Sequence, residues 1–95
     1  MTISHNSYFD DGVQSLGFDA ASGPVSFGVM APGEYHFGTD APERMSVLEG
    51  ELLVRIDDTE DWLMYGSGTS FDVPGSSGFD VRVVAPAAYR CDYLG

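Results

Sequence analysis

Between Glu51 and Tyr65 the sequence reads ELLVRIDDTEDWLMY, which is its longest stretch without glycine or proline. Polar residues fill all positions from Asp57 to Asp61, a run that is longer than one turn of an α-helix. The apolar stripe of an amphipathic helix does not cross such an interruption. Before it, Leu52, Val54 and Ile56 alternate with their neighbours at the period of two that is typical of a β-strand. The stretch therefore predicts a strand that ends in a solvent-exposed hairpin tip.

The same alternation recurs between Val25 and Tyr93, with turn signals between the alternating segments. These signals are Gly23-Pro24, Pro32-Gly33, Ala41-Pro42, Asp57-Asp58, Gly66-Ser67-Gly68, Pro74-Gly75-Ser76-Ser77-Gly78 and Pro86. About eight to ten short strands at this spacing predict an all-β sandwich or barrel. A chain of 95 residues fits one domain.

The charge of the chain narrows the classes of partner. Fifteen acidic residues face four basic ones, all arginine, which gives a formal charge of −11. This balance argues against binding to nucleic acid or to an anionic membrane surface. A single cysteine excludes an internal disulfide framework and a cysteine-built zinc site. With no long apolar run and no signal-peptide pattern, the sequence predicts a cytoplasmic protein without membrane contact.

Two segments, Pro32–Gly50 and Gly68–Gly75, carry the spacings Glu43-x6-Gly50 and Gly68-x5-Pro74. These spacings resemble the two signature motifs of the cupin superfamily. The resemblance implies a single-domain, all-β jelly-roll barrel of short antiparallel strands that covers residues 1–95. We expect residues 1–11 to form an N-terminal segment that packs on the barrel or on a partner subunit.

The metal-binding form of the cupin motif is not present. In that superfamily two histidines usually precede the glutamate and a third follows the proline, whereas here these places fall on Phe37, Thr39 and near Phe79. One carboxylate with two phenylalanines does not hold iron or zinc. His36 alternates out of register with Phe37, so we expect it on an exposed strand face. The sequence thus predicts no bound metal.

Nearly the whole chain is similar to the small single-domain cupins known as pyrimidine/purine nucleoside phosphorylases. The matching stretches are Tyr8-Phe9, Val13-x-Ser15-Leu16-Gly17-Phe18, Val29-Met30-x-Pro32-Gly33-Glu34-Tyr35-x-Phe37-x-Thr39, Pro42-Glu43-x-Met45-x-Val47-x-x-Gly50, Phe71-x-Val73-Pro74 and Tyr89-x-Cys91-x-Tyr93-Leu94. The resemblance implies the phosphorolysis of purine and pyrimidine nucleosides to free base and pentose 1-phosphate. It implies no metal or organic cofactor, with inorganic phosphate as co-substrate.

The cupin register points one acidic side chain, Glu43, into the barrel. We expect Glu43 to act in catalysis by binding ribose hydroxyls or by supporting positive charge on the sugar. The alternative is a structural carboxylate that hydroxyl groups or an arginine hold in place. The predicted substrate-binding residues are Tyr35, Phe37, Thr39, Arg44, Ser77, Phe79 and Tyr89. Among them, Phe37 and Phe79 are candidate walls for base stacking, and Arg44 and the loop around Ser77 are candidates for phosphate.

Two further readings stay open at this point. One is a non-enzymatic cupin that binds a small molecule, and the other is a metal-dependent cupin enzyme. We also expect a homodimer, because small jelly rolls often pair to cover edge strands and because a chain of this length has a modest core. In every reading Cys91 is expected to be a small buried residue on the same strand face as Tyr89 and Tyr93.

Overall fold

The computed structural model describes residues 2–95, which fold into ten strands with no helix among them. The strands are β1 (Ser4–Tyr8), β2 (Val13–Ala20), β3 (Gly23–Met30), β4 (Gly33–Thr39), β5 (Glu43–Glu49), β6 (Glu51–Ile56), β7 (Leu63–Gly66), β8 (Ser70–Val73), β9 (Ser77–Val83) and β10 (Ala87–Tyr93). No helix long and apolar enough to cross a membrane occurs within residues 2–95.

The strands form two antiparallel sheets. The six-stranded sheet has the order β1-β2-β3-β10-β5-β8, and the four-stranded sheet has the order β4-β9-β6-β7. Because β10 pairs with both β3 and β5, the last strand of the chain lies in the middle of the six-stranded sheet. This arrangement confirms the expected all-β, cupin-type jelly roll.

One hydrophobic core lies between the two sheets, and its residues are the inward-facing positions of the alternating sequence. Leu52, Val54 and Val81 are each at most 2% exposed, while the neighbouring charged residues Arg55 and Arg82 point outward. The run Asp57–Asp61 is the predicted loop, between β6 and β7. The period-two pattern thus determined which side chains became the core.

One turn in the N-terminal part differs from the sequence prediction. The turn predicted at Gly23-Pro24 lies instead at residues 21–22, and Pro24 is the second residue of β3. Proline is tolerated near the start of a strand because few ladder hydrogen bonds are lost there. Ser4–Tyr8, part of the expected N-terminal segment, forms an edge strand whose five residues are all exposed.

Candidate active site

A cavity of about 280 Å³ opens between the two sheets, near the lower end of the volumes of ligand-binding pockets. The six-stranded sheet supplies the polar wall: Ser15, Ser26, Met30, Glu43, Met45, Tyr89, Cys91 and Tyr93. The facing side is mainly aromatic, with Phe37 and Phe79 from the four-stranded sheet, Tyr8 at the end of β1 and Phe9 directly after it. His36 and Gly38 of β4 complete the lining. The cavity therefore has two walls of different chemistry.

Strand pairing brings the polar wall together. In the ladder between β5 and β10, Tyr93 lies opposite Glu43 and Cys91 lies opposite Met45. The Cys91 thiol donates a hydrogen bond to Glu43 Oε1 at 3.3 Å. The Tyr93 hydroxyl lies 3.1 Å from Ser26 Oγ on the neighbouring strand β3. A half-buried carboxylate thus sits among a thiol and hydroxyl groups.

The surroundings of Glu43 disfavour its charged form. Burial raises the pKa of the Glu43 carboxyl, the hydrogen bond from Cys91 opposes this, and the charge of Asp40 adds to the increase. Burial also raises the pKa of Cys91, Tyr89 and Tyr93 above their ordinary values. These three groups consequently stay protonated at neutral pH, and the Cys91 thiol keeps the proton that it donates to Glu43.

The aromatic wall is a cluster of rings in mutual contact. Phe37 lies at its centre, with its ring centroid 6.3 Å from that of Tyr8, 5.6 Å from that of Phe9 and 5.5 Å from that of Phe79. Phe79 is only 2% exposed, whereas Phe9 is 48% exposed and Tyr8 44%. Most of the ring surface that a ligand can reach therefore belongs to Tyr8, Phe9 and Phe37.

Four of the predicted site residues, Glu43, Phe37, Phe79 and Tyr89, line this cavity. Tyr35 lies behind the wall: its ring packs against Phe9 and its hydroxyl donates to Ala31 O at 2.6 Å. Tyr35 holds the wall in place, and it is not among the residues that line the cavity.

The remaining three predicted site residues have other partners. Thr39 is buried, donates a hydrogen bond to Pro74 O at 2.6 Å and accepts one from the Ser77 backbone N–H at 3.1 Å, so it ties two turns together. Arg44 lies on the outer face of its strand, where its Nε is 2.8 Å from Asp72 Oδ1. Thr39, Ser77 and Arg44 are all absent from the cavity lining. Thr39 and Ser77 hydrogen-bond to each other at the ends of β4 and β9, and Arg44 points to the outer face because it alternates with Glu43 along β5.

The arginines all lie on outer faces of the sheets and pair with carboxylates. The pairs are Arg44–Asp72, Arg55–Asp80, Arg82–Glu34 and Arg90–Asp92. Arg82 also lies 4.0 Å from the centre of the Trp62 ring, a cation–π contact. Within the described part of the chain, no arginine lines the cavity.

The donor set of the cavity does not suit a metal ion. Of the cupin ligand positions, Phe37 and Phe79 have no donor atom and Thr39 is hydrogen-bonded elsewhere, which leaves Glu43 with the Cys91 thiol. A stable site for zinc or iron needs at least three protein ligands. Among residues 2–95, the one group of three metal-ligating side chains is His36, Asp57 and Asp80 on the outer face, where Asp80 already pairs with Arg55.

Sequence reasoning missed Tyr8, Phe9, Ser26 and Tyr93 as cavity residues, and it treated Cys91 as packing alone. Alternation did place Cys91 and Tyr93 on one face with Tyr89. It carried no information on which strand lies beside β10, so the contact of Cys91 with Glu43, which are 48 positions apart, was not predictable.

The fold and the cavity define a cupin-type protein. The cupin domain of Drosophila melanogaster CENP-C superimposes with a TM-score of 0.72 over 97% of this chain and 75% of that chain, at 12% identity, which is a likeness of fold alone.

The model of the family "Pyrimidine/purine nucleoside phosphorylase" matches residues 3–93, and the chain belongs to this family. A protein of that name from Vibrio parahaemolyticus is 54% identical over 94 residues, which cover 99% of this chain and all of that protein. The crystal structure of a Vibrio parahaemolyticus protein of unknown function superimposes with a TM-score of 0.96 at 53% identity, over 99% of this chain and 100% of that chain. Family membership and an aromatic cavity that contains a carboxylate together make nucleosides the ligands to consider for this site.

Proposed function

We propose that this chain catalyses the phosphorolysis of purine and pyrimidine nucleosides without a metal or organic cofactor. An oxygen of hydrogen phosphate bonds to C1′ of the pentose while the C1′–N bond breaks. The bonding electrons leave with the base, which takes up the proton of the phosphate, so that free base and pentose 1-phosphate result. The observation that carries this proposal is the half-buried carboxylate of Glu43 facing an aromatic wall, in a chain of the phosphorylase family.

In this reaction Glu43 stabilises positive charge. Breaking the glycosidic bond gives the sugar the character of an oxocarbenium ion, and a fixed carboxylate beside it lowers the energy of that state. The attraction is strong in a partly desolvated cavity that holds no arginine to compete for the carboxylate. The Cys91 thiol keeps one carboxylate oxygen in a fixed position through its hydrogen bond of 3.3 Å.

The two walls orient the nucleoside. Ribose hydroxyls match the polar wall, where Glu43 accepts hydrogen bonds and the hydroxyls of Tyr93 and Ser26 both donate and accept them. The base matches the aromatic wall, since every base has a face that stacks on a ring. The bond between sugar and base then lies close to the carboxylate.

Phosphate finds no arginine in the cavity, and His36, the one histidine of the lining, is hydrogen-bonded to Asp80. All four arginines pair with carboxylates on the outer faces, so the neutral donors of the polar wall would have to bind the anion. This observation favours a second candidate function, a non-enzymatic cupin that binds a nucleoside or a similar neutral molecule.

One assay separates the two candidates. Purified protein is incubated with uridine, inosine and adenosine in turn, each with and without inorganic phosphate, and free base is measured by chromatography. Phosphorolysis predicts base release that depends on phosphate. Binding without base release from any nucleoside would support the second candidate, and release without phosphate would indicate hydrolysis.

The proposal includes a cytoplasmic homodimer. The outer face of the six-stranded sheet exposes Leu16, Phe27 and Val29, and a second copy of this chain would cover these apolar side chains. Arg90 and Asp92 lie on the same face and carry opposite charges, which suits a two-fold contact of the face with itself. Sedimentation of the wild-type protein should give a dimer, and Phe27→Asp should give a monomer.

A further inference from the structure

The turn between β1 and β2 has an unusual backbone. Phe9, Asp10 and Asp11 all have positive φ angles, at 54°, 54° and 67°. Aspartate tolerates this left-handed region, but a bulky residue such as phenylalanine rarely adopts it, because its Cβ crowds the backbone. Such conformations persist where surrounding contacts hold them, and they are concentrated at ligand-binding and catalytic sites.

Several contacts hold this turn in place. The Gly12 N–H donates to Phe9 O at 3.0 Å, and the Ala31 N–H donates to Gly12 O at 2.7 Å, which anchors the turn to the end of β3. The side chain of Gln14 donates to Asp11 O at 3.2 Å. The Phe9 ring centroid lies 5.0 Å from that of Tyr35, whose hydroxyl is itself tied to the Ala31 carbonyl.

The left-handed backbone of this turn sets the position of the Phe9 ring. The residues of β1 are all exposed, so the strand itself does not bury its side chains against the barrel. The turn that follows nevertheless places Phe9 in the lining of the cavity, over the aromatic wall. Phe9 meets Phe37 edge to face, with an interplanar angle of 87°. Phe79 is only 2% exposed, so the exposed ring of Phe9 offers a ligand far more surface than Phe79 does.

We infer that Phe9, held by the left-handed turn, is a specificity-determining residue that stacks on the nucleobase, with Tyr8 beside it. This inference rests on the proposed function. It assigns the recognition of the base to the N-terminal hairpin, which contacts the base face only and therefore grades substrates by ring size. Asp10 is a positioning residue, because it acts by keeping the turn in shape.

The test measures KM and kcat for inosine and uridine at saturating phosphate. Phe9→Ala should raise KM by about 5- to 150-fold, the change that corresponds to the loss of about 1–3 kcal/mol of base stacking, with the larger increase for the purine. Phe9→Leu keeps an apolar side chain but no ring face, and it should raise KM in the same direction. Both should leave KM for phosphate unchanged.

Two substitutions at Asp10 form a matched pair that changes the turn and leaves the Phe9 ring intact. Asp10→Gly accepts the left-handed backbone and should keep the wild-type KM, whereas Asp10→Val disfavours it and should raise KM as Phe9→Leu does. If the wild type releases base and Phe9→Leu keeps the KM of both nucleosides, the inference is wrong and the proposed function stands. If the wild type releases no base, the proposed function fails and the inference fails with it.

Discussion

Glu43 in the cavity and Asp80 on the outer face of the four-stranded sheet are carboxylates in opposite surroundings. Asp80 receives hydrogen bonds from Arg55 and His36, which lower its pKa. Glu43 has a thiol as its hydrogen-bond partner, and burial raises its pKa. The four arginines pair with four carboxylates on the outer faces, and none of them pairs with the cavity carboxylate. An uncompensated charge of this kind is suited to stabilise a positive reaction centre.

Removing the cavity charge should have the largest effect. Glu43→Gln keeps the shape of the side chain but no longer stabilises a cationic sugar, so kcat for phosphate-dependent base release should fall by about 10²- to 10³-fold. Asp80→Asn is the matched control on the outer face and should stay within about twofold of wild type, since a single surface change is usually small. Full activity of Glu43→Gln in the same assay would remove Glu43 from the mechanism.

A methyl group at Gly28 should disturb the cavity and leave the outer face of the four-stranded sheet unchanged. Gly28 lies opposite Tyr89 in the ladder between β3 and β10, and a Cβ there would come within 2.5 Å of the Tyr89 ring. Gly28→Ala should displace this ring, destabilise the fold by about 1–3 kcal/mol and raise KM for nucleosides. Gly66→Ala is the control, since no atom lies within 4 Å of the Cβ position there. Equal melting temperatures for the two variants would contradict the prediction.

The hydrogen bond from Cys91 should be visible in the pH profile. It lowers the pKa of Glu43, so Cys91→Ala should raise that pKa, and the ionised fraction of Glu43 at a given acidic pH should fall. Activity that needs the carboxylate is lost as pH falls through this pKa, so the acidic limb of kcat should move to higher pH. Cys91→Ser keeps a donor and should leave the limb closer to wild type. A limb that does not move in Cys91→Ala would show that the thiol has no influence on Glu43.

Of the substitutions predicted here, a change of Asp80 on the outer face should have the smallest effect, and it should change stability only. The folded-state pKa of Asp80 is lowered, so its contribution is present above the ordinary pKa of aspartate and is lost as pH falls through the lowered value. Asp80→Asn should therefore cost about 1 kcal/mol or less near neutral pH, with the difference from wild type shrinking in acid. Urea unfolding at several pH values measures this, with Asp58→Asn in the exposed hairpin loop as the control. A difference that grows in acid would contradict the assigned sign.

Much of the fold was predictable because β-structure has a local signature. Alternation identified the inward faces of β6, β9 and β10 and the loop at Asp57–Asp61. It did not identify β1, β2 or β7. Because β1 and β7 have no fully buried residue, they have no apolar period. The same alternation explains the outward positions of Arg82 and Arg90, which pair with Glu34 and Asp92.

The candidate site was predictable only in part. Glu43, Phe37, Phe79 and Tyr89 could be chosen from the register that the family resemblance implies, and all four line the cavity. Choosing Arg44 for phosphate rested on its being next to Glu43 in the sequence. Adjacent residues of a strand point to opposite faces, and Arg44 accordingly pairs with Asp72 on the outer face.

The class of fold, the faces of most strands and the shortage of cations all follow from the amino-acid sequence, since each of these depends on composition or on a pattern of period two. The tertiary structure alone decided that the Cys91 thiol reaches Glu43 and that the N-terminal turn carries Phe9 to the cavity. These contacts join residues far apart in the chain. They depend on which strands become neighbours and on backbone angles in one turn, and neither leaves a local mark in the sequence.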